Sequence, residues 1–177
     1  LRLAQEASSI RRYDEAGLVK LYQSRVLDTG LTWDQFIRVE SRKVLQGMFH
    51  EREYFVRFVK YPWEIDEKYG DKTYVPKDLI KIRGKVIGNK LSIFLPGRYI
   101  VDDVEVLEGK EEFSEIKEVV TFEGLYSGIL DVDEEFIAYG KVEEVYDKIR
   151  DSRYFRLVVG SAEAKGKDYI KPLRWLR

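Results

Sequence analysis

Arg38, Arg42 and Lys43 are the residues whose type and spacing first suggest chemistry. They lie in the run TWDQFIRVESRKVLQG, where Arg38 and Arg42 stand one helical turn apart with Lys43 beside them. Guanidinium forks match phosphate oxygens. These three, with Arg57 on the strand that follows, are therefore candidate contacts for a nucleotide or a nucleic-acid backbone. The same pattern also describes a solvated helix face on which Glu40 pairs with Lys43. Tyr54, Phe55, Phe58, Tyr61 and Trp63 could stack bases, or could fill a core and pair across strands. Asp102, Asp103 and Glu105 form one acidic run, and Asp131, Asp133, Glu134 and Glu135 another. Neither has the glycine and closing glutamate of a calcium loop, and acidic turns or charged strand edges account for both. Arg83 and Lys85 around Gly84 read as solvent-facing alternation. Lys171, Arg174 and Arg177 read as solvated cations around a Trp175 packed onto the domain. His50 reads as a turn residue.

Composition narrows the chemistry. The chain of 177 residues has no cysteine and a single histidine. That excludes disulfides, thiolate nucleophiles, Cys-ligated zinc and a His-rich metal site, and it argues against a Ser-His-Asp triad. Charged residues make up 36%, with one Met. Many charges and few thermolabile side chains resemble a heat-adapted, intracellular, cytoplasmic protein. No apolar run approaches the length of a membrane span. Net charge is −1, so nothing marks the whole chain as a polyanion binder. The distribution is uneven: residues 1–63 carry eleven Lys/Arg against eight Asp/Glu, and 64–177 carry twenty against twenty-four. The front third is the better place for a phosphate.

The elements that must position these residues follow from periodicity. Leu1, Leu3, Ala4 and Ala7 read as the middle of an apolar-faced helix with no start signal, so an N-terminal region of the same protein is expected to precede it. Asp14 caps a helix running to about Leu27. Thr32 and Gln35 fit a capping box, and the helix they open is expected to end at Gly47, a residue that accepts a left-handed backbone. A strand follows over Tyr54–Val59, closed by Tyr61-Pro62. Beyond Leu79 nearly everything alternates as strand, with a bulge expected at Gly84, a tight turn at Gly88-Asn89 and a short helix over Glu111–Lys117. The expected fold class is α+β: N-terminal helices with one strand (1–62), a linker loop (63–78), then a small antiparallel β-barrel, OB-like or similar (79–177).

Three stretches together resemble an archaeal family of predicted nucleotidyltransferases in the DNA polymerase β-like superfamily. They are WDQFIRVESRKVLQG with YFVRFVK, VVTFEGLYSGILDVDEEFIAYG, and RLVVGSAEAKGKDYIKPL. Their order and spacing cover most of the chain. The resemblance implies an upstream half with a Gly-Ser turn and paired aspartates. Those would hold divalent metal (Mg) to position a nucleoside triphosphate for in-line displacement. It carries Arg42 and Lys43 over as phosphate contacts. Two positions depart from it. The carboxylate expected after Tyr-Phe is Val56, which offers no oxygen to a hard cation, and the helix histidine is Val39. The expectation is a C-terminal accessory region that supplies a cleft wall and a nucleic-acid- or acceptor-binding barrel, with no catalytic residue, metal site or cofactor of its own. The alternatives are a non-catalytic single-stranded RNA- or DNA-binding module and a protein-interaction domain.

Overall fold

The structure is a computed structural model. It describes residues 10–25, 30–42, 45–65 and 67–176; the helix expected over Leu1–Ser9 lies outside them. The architecture is α+β. A short strand β1 (Ile10–Arg11) precedes helix α1 (Glu15–Arg25), whose Asp14 cap accepts from the Gly17 amide at 2.8 Å. Helix α2 (Trp33–Arg42) starts at the expected capping box: Gln35 N donates to Thr32 Oγ1, and Thr32 N to Gln35 Oε1. Phe36 and Val39 on α2 are fully buried. Tyr22 of α1 packs on Trp33 and Phe36, with ring centroids 5.3 and 5.1 Å apart. Val39, read from sequence only as a replaced histidine, is thus a core residue.

The described helix covers Trp33–Arg42, and Gly47 lies outside it. Gly47 belongs to strand β2 (Gln46–Phe49), which pairs with β1 on one side and β3 (Arg52–Phe55) on the other. A Cβ on Gly47 would meet the Arg11 carbonyl at 2.5 Å. The glycine is required by a close backbone crossing, and the expectation of a helix stop is corrected. The single strand expected over Tyr54–Val59 is instead the second arm of a hairpin. From Val56 the chain runs on extended, with Val56 N donating to Leu45 O and Phe58 bridging Phe94.

Strand β4 (Lys72–Leu91) reaches back into the stretch expected as loop, and it passes straight through Gly88-Asn89. The turn lies at residues 92–96, where Ser92 N donates to Asn89 O. β5 (Gly97–Glu108), β6 (Ile116–Thr121), β7 (Glu135–Asp147) and β8 (Ser152–Val159) follow, and then β9 (Tyr169–Pro172). Residues Glu111–Glu115 form one 3-10 turn. The pairings close on themselves: β4 pairs with β5, β5 with β6, β6 with β8, β8 with β7, and β7 again with β4. β9 adds to the outer part of β7. One junction corrects the all-antiparallel expectation, because β6 and β8 run parallel. The chain crosses from β6 to β7 before β8 returns between them. The expected irregularity at Gly84 is present as a register shift between Arg83 and Lys85.

Alternation along these strands builds one interior. Ile80, Ile82 and Val86 point into it from β4, Tyr99 and Val101 from β5, Phe136, Ala138 and Val142 from β7, and Leu157 and Val159 from β8. Leu31, Phe36 and Val39 belong to the same cluster, so helices and sheet share one core. Tyr99 ties it together: its hydroxyl donates to Tyr126 O at 2.6 Å and accepts from Ile129 N at 3.0 Å. Outside, charges pair across strands. Burial would raise the Glu67 carboxyl, but Lys72 and Arg98 beside it hold it below its ordinary value. Among the described residues no helix is long and apolar enough to cross a membrane.

Candidate functional site

A cleft that takes five of the singled-out residues, Glu40, Phe55, Val56, Arg57 and Phe58, lies where the helical part meets the strands. It encloses about 330 Å³ and is lined from three directions. Glu40 at the end of α2 and Gln46 of β2 form one side. Phe55, Val56, Arg57 and Phe58, the extended chain leaving β3, form a second. The 92–96 turn with Phe94, and the loop after β6 with Phe122 and Glu123, form the third. Local sequence explains each wall. Pairing of Val56 N with Leu45 O holds the chain extended beyond β3, and the Phe58–Phe94 bridge fastens it to the β4–β5 turn. Thr121 Oγ1 accepts from the Glu123 amide and donates to its carbonyl, which fixes the bend that exposes Phe122.

Apolar walls surround a small polar set. Phe55 and Phe122 are exposed, while Phe58 and Phe94 are half-buried. Glu40 is only 7% exposed, and its Oε2 accepts from Gln46 Nε2 at 2.8 Å. Glu40 is therefore buried and not on a solvated face, while its expected pairing with Lys43 falls on a residue outside the described ones. The Glu40 charge reaches Tyr13, whose hydroxyl is pushed up chiefly by burial and then by Glu53 and Glu40. Arg57 is exposed at the same cleft.

Of the four candidate phosphate contacts, the cleft takes Arg57. Arg38 is exposed on α2 and is not among the lining residues. Arg42 ends α2, but its side chain, like Lys43 altogether, lies outside the described residues. Glu40 and Gln46 were missed because each looks like an ordinary surface residue in sequence. The signal that could have found Glu40 is its place three residues after Ile37 and four after Phe36, on the buried stripe of α2.

Of the remaining candidates, Arg177 lies outside the described residues. The structure brings the two acidic runs to either side of β4, where Arg83 pairs with Glu135 at 2.7 Å and Lys85 with Asp133 at 2.9 Å. Arg174 pairs with Glu134, and Trp175 packs against the core as expected. Burial lowers the Lys171 ammonium, which lies 4.1 Å from the centre of the Tyr169 ring. His50 sits in the β2–β3 turn with its ring edge-on to Phe49.

The donors in the cleft do not fit the divalent metal that the family resemblance implies. Val56 has no donor atom, and no group of three or more His, Cys, Asp or Glu among the described residues is placed to hold an ion.

Comparison with known proteins gives one informative likeness. The chain is 36% identical over 150 residues to the uncharacterised protein MJ1086 of Methanocaldococcus jannaschii, a match covering 85% of this chain and 42% of that protein. The chain thus spans less than half the length of this curated relative. No family model matches, and no solved structure matches.

Proposed function

We propose that this chain is the accessory, non-catalytic region of a nucleotidyltransferase-like protein, and that the cleft beside Arg57 holds one nucleotide unit of a triphosphate donor or of a single-stranded acceptor. The observation that carries this reading is the convergence at one cleft of four phenylalanines, a buried carboxylate–amide pair and one arginine, from segments far apart in sequence. Its volume, about 330 Å³, falls at the small end of ligand pockets, enough for a base with its sugar and too little for an oligomer. Among the described residues two carboxylates and one guanidinium line it, so phosphate belongs at the Arg57 mouth and the uncharged part inside. Val56, at the position where the resembling family has a carboxylate, supports the non-catalytic part of the reading.

The strand order supports a further part. β4 to β8 close in the order first, second, third, fifth, fourth, with the third and fifth parallel. An OB-like barrel has this order, and such barrels hold single strands through loops that include the one joining their first two strands. Here that loop contains Phe94, which lines the cleft. The step from fold to ligand is analogy and adds to the site chemistry without replacing it.

The test is titration of the chain with nucleoside monophosphates and short single-stranded RNA, at low and moderate salt. Binding should weaken with salt. Arg57→Ala should cost about tenfold. Phe55→Ala should cost a similar factor, since one base–aromatic stack is worth ~1–3 kcal/mol. Both side chains are exposed, so neither change should lower thermal stability appreciably. Absence of binding to every nucleotide and oligomer overturns the proposal.

A second reading has its own observation. Tyr61 and Trp63 stack on each other at 4.5 Å with planes 5° apart, yet are 61% and 77% exposed. With Val59 and Ile65 they form an apolar strip of the kind used for protein contacts. A protein ligand would then replace the nucleic acid, and loss of affinity in Trp63→Ala with no nucleotide binding would favour it.

A further inference from the structure

We propose that the cleft is selective for guanine. This rests on the nucleotide-cleft reading and goes beyond it by naming the base. Of the polar side chains that line the cleft, Glu40, Gln46, Arg57, Glu123 and Ser127, the two carboxylates are acceptors only. Glu40 presents a carboxylate that is nine-tenths buried. Gln46 spends one N–H on that carboxylate and keeps its second N–H and its carbonyl. A base entering between the phenylalanines must therefore offer donors to that carboxylate or set an acceptor against it, the costlier outcome.

The four bases differ in that respect. Guanine carries N1–H and the N2 amino group side by side on one edge, two donors at the spacing of the two oxygens of a carboxylate. Adenine and cytosine each offer one amino group beside a ring nitrogen that is an acceptor. Uracil offers one N–H flanked by two carbonyls. A carboxylate meets an acceptor on its second oxygen in each of those three cases and meets none with guanine. The phosphate needs no room beside Glu40, because Arg57 is available at the mouth. Stacking on the phenylalanine walls is indifferent to which base enters, so discrimination falls on Glu40.

The experiment compares binding of GMP, IMP, AMP, CMP and UMP to the chain by calorimetry, and repeats the series on Glu40→Gln. GMP is expected to bind at least about tenfold tighter than AMP, CMP or UMP, the discrimination ordinarily given by one good bidentate contact. IMP lacks the N2 amino group and should lie between GMP and the others, a comparison that needs no protein variant. Glu40→Gln keeps the size of the side chain and an acceptor for Gln46. It should remove the preference for GMP while AMP binding stays within about threefold, with thermal unfolding measured alongside. If all five nucleotides bind alike, guanine selectivity is wrong and the nucleotide cleft stands. If none binds, both fall. If GMP is preferred and Glu40→Gln leaves the preference intact, Glu40 is not the group that reads the base and the inference is overturned.

Discussion

At the scale of single residues, Tyr99 shows most directly how a polar group inside this core is made tolerable. It is fully buried, and its hydroxyl both donates to Tyr126 O and accepts from Ile129 N, which pins the loop after β6 onto β5. Tyr99→Phe keeps the ring and removes both hydrogen bonds, so it should cost about 1–3 kcal/mol in urea unfolding. Burial also pushes the Tyr99 hydroxyl up to about 12 from an ordinary value of 10.0. Above pH 10 the unfolded chain releases this proton while the folded one keeps it. Its contribution is therefore complete below pH 10 and is lost as pH rises from about 10 to 12, by on the order of 2–3 kcal/mol. The check is the alkaline limb of stability against pH in the two proteins. The wild type should fall more steeply than Tyr99→Phe, and parallel curves would refute the assignment. Glu40 follows the same logic with a different consequence, since its single described partner, Gln46, leaves it suited to a ligand.

At the scale of elements, sequence succeeded wherever a local rule had no tertiary competitor. The Thr32–Gln35 box opens α2 and Asp14 caps α1 as expected. The alternation of β7 was legible because one of its faces meets the common interior, whereas β8 ends in four consecutive buried residues. Sequence failed where a glycine served packing across space. Gly47 reads as a helix stop and is a crossing point under Arg11, and Gly88-Asn89 reads as a turn and is strand. The cleft was half legible: the aromatic and Arg57 wall lies in one continuous run, but its partners, Phe94 and Phe122, arrive only through the closure of the strands. The β2–β3 hairpin was hidden because its turn is His50-Glu51, with φ of 44° and 66°, where Asn-Gly would be the usual choice. That choice leaves a measurable deficit. A side chain held left-handed costs roughly 1 kcal/mol or more, and Glu51 is exposed. Glu51→Gly should therefore stabilise the protein by about 1 kcal/mol in thermal or urea unfolding, and a loss of stability would show that the Glu51 side chain makes a contact worth more than its backbone strain.

At the scale of the whole molecule, the helical part and the strands behave as one body if the core is as continuous as its contacts. Leu31, Phe36 and Val39 lie in the same buried cluster as Leu125, Tyr126 and Ile129, and Gly30 N donates to Asp168 O across the junction at 3.4 Å. The Phe58–Phe94 bridge makes a second tie at the cleft. Such a junction leaves little room for the two parts to melt separately, whereas β1–β3, with mostly exposed or half-buried side chains, should open locally at lower cost. Phe36→Ala separates these cases, because Phe36 is fully buried between α1 and the shared core. It should destabilise the molecule by about 3–5 kcal/mol. In native-state hydrogen exchange, the slowest amides of α2 and of β7 should then accelerate by the same factor, while those of β2 and β3, already exchanging through local opening, change less. Acceleration confined to α2 would mean that the strands close and persist without the helices. The cleft would then lie at a hinge between two independent bodies instead of inside one.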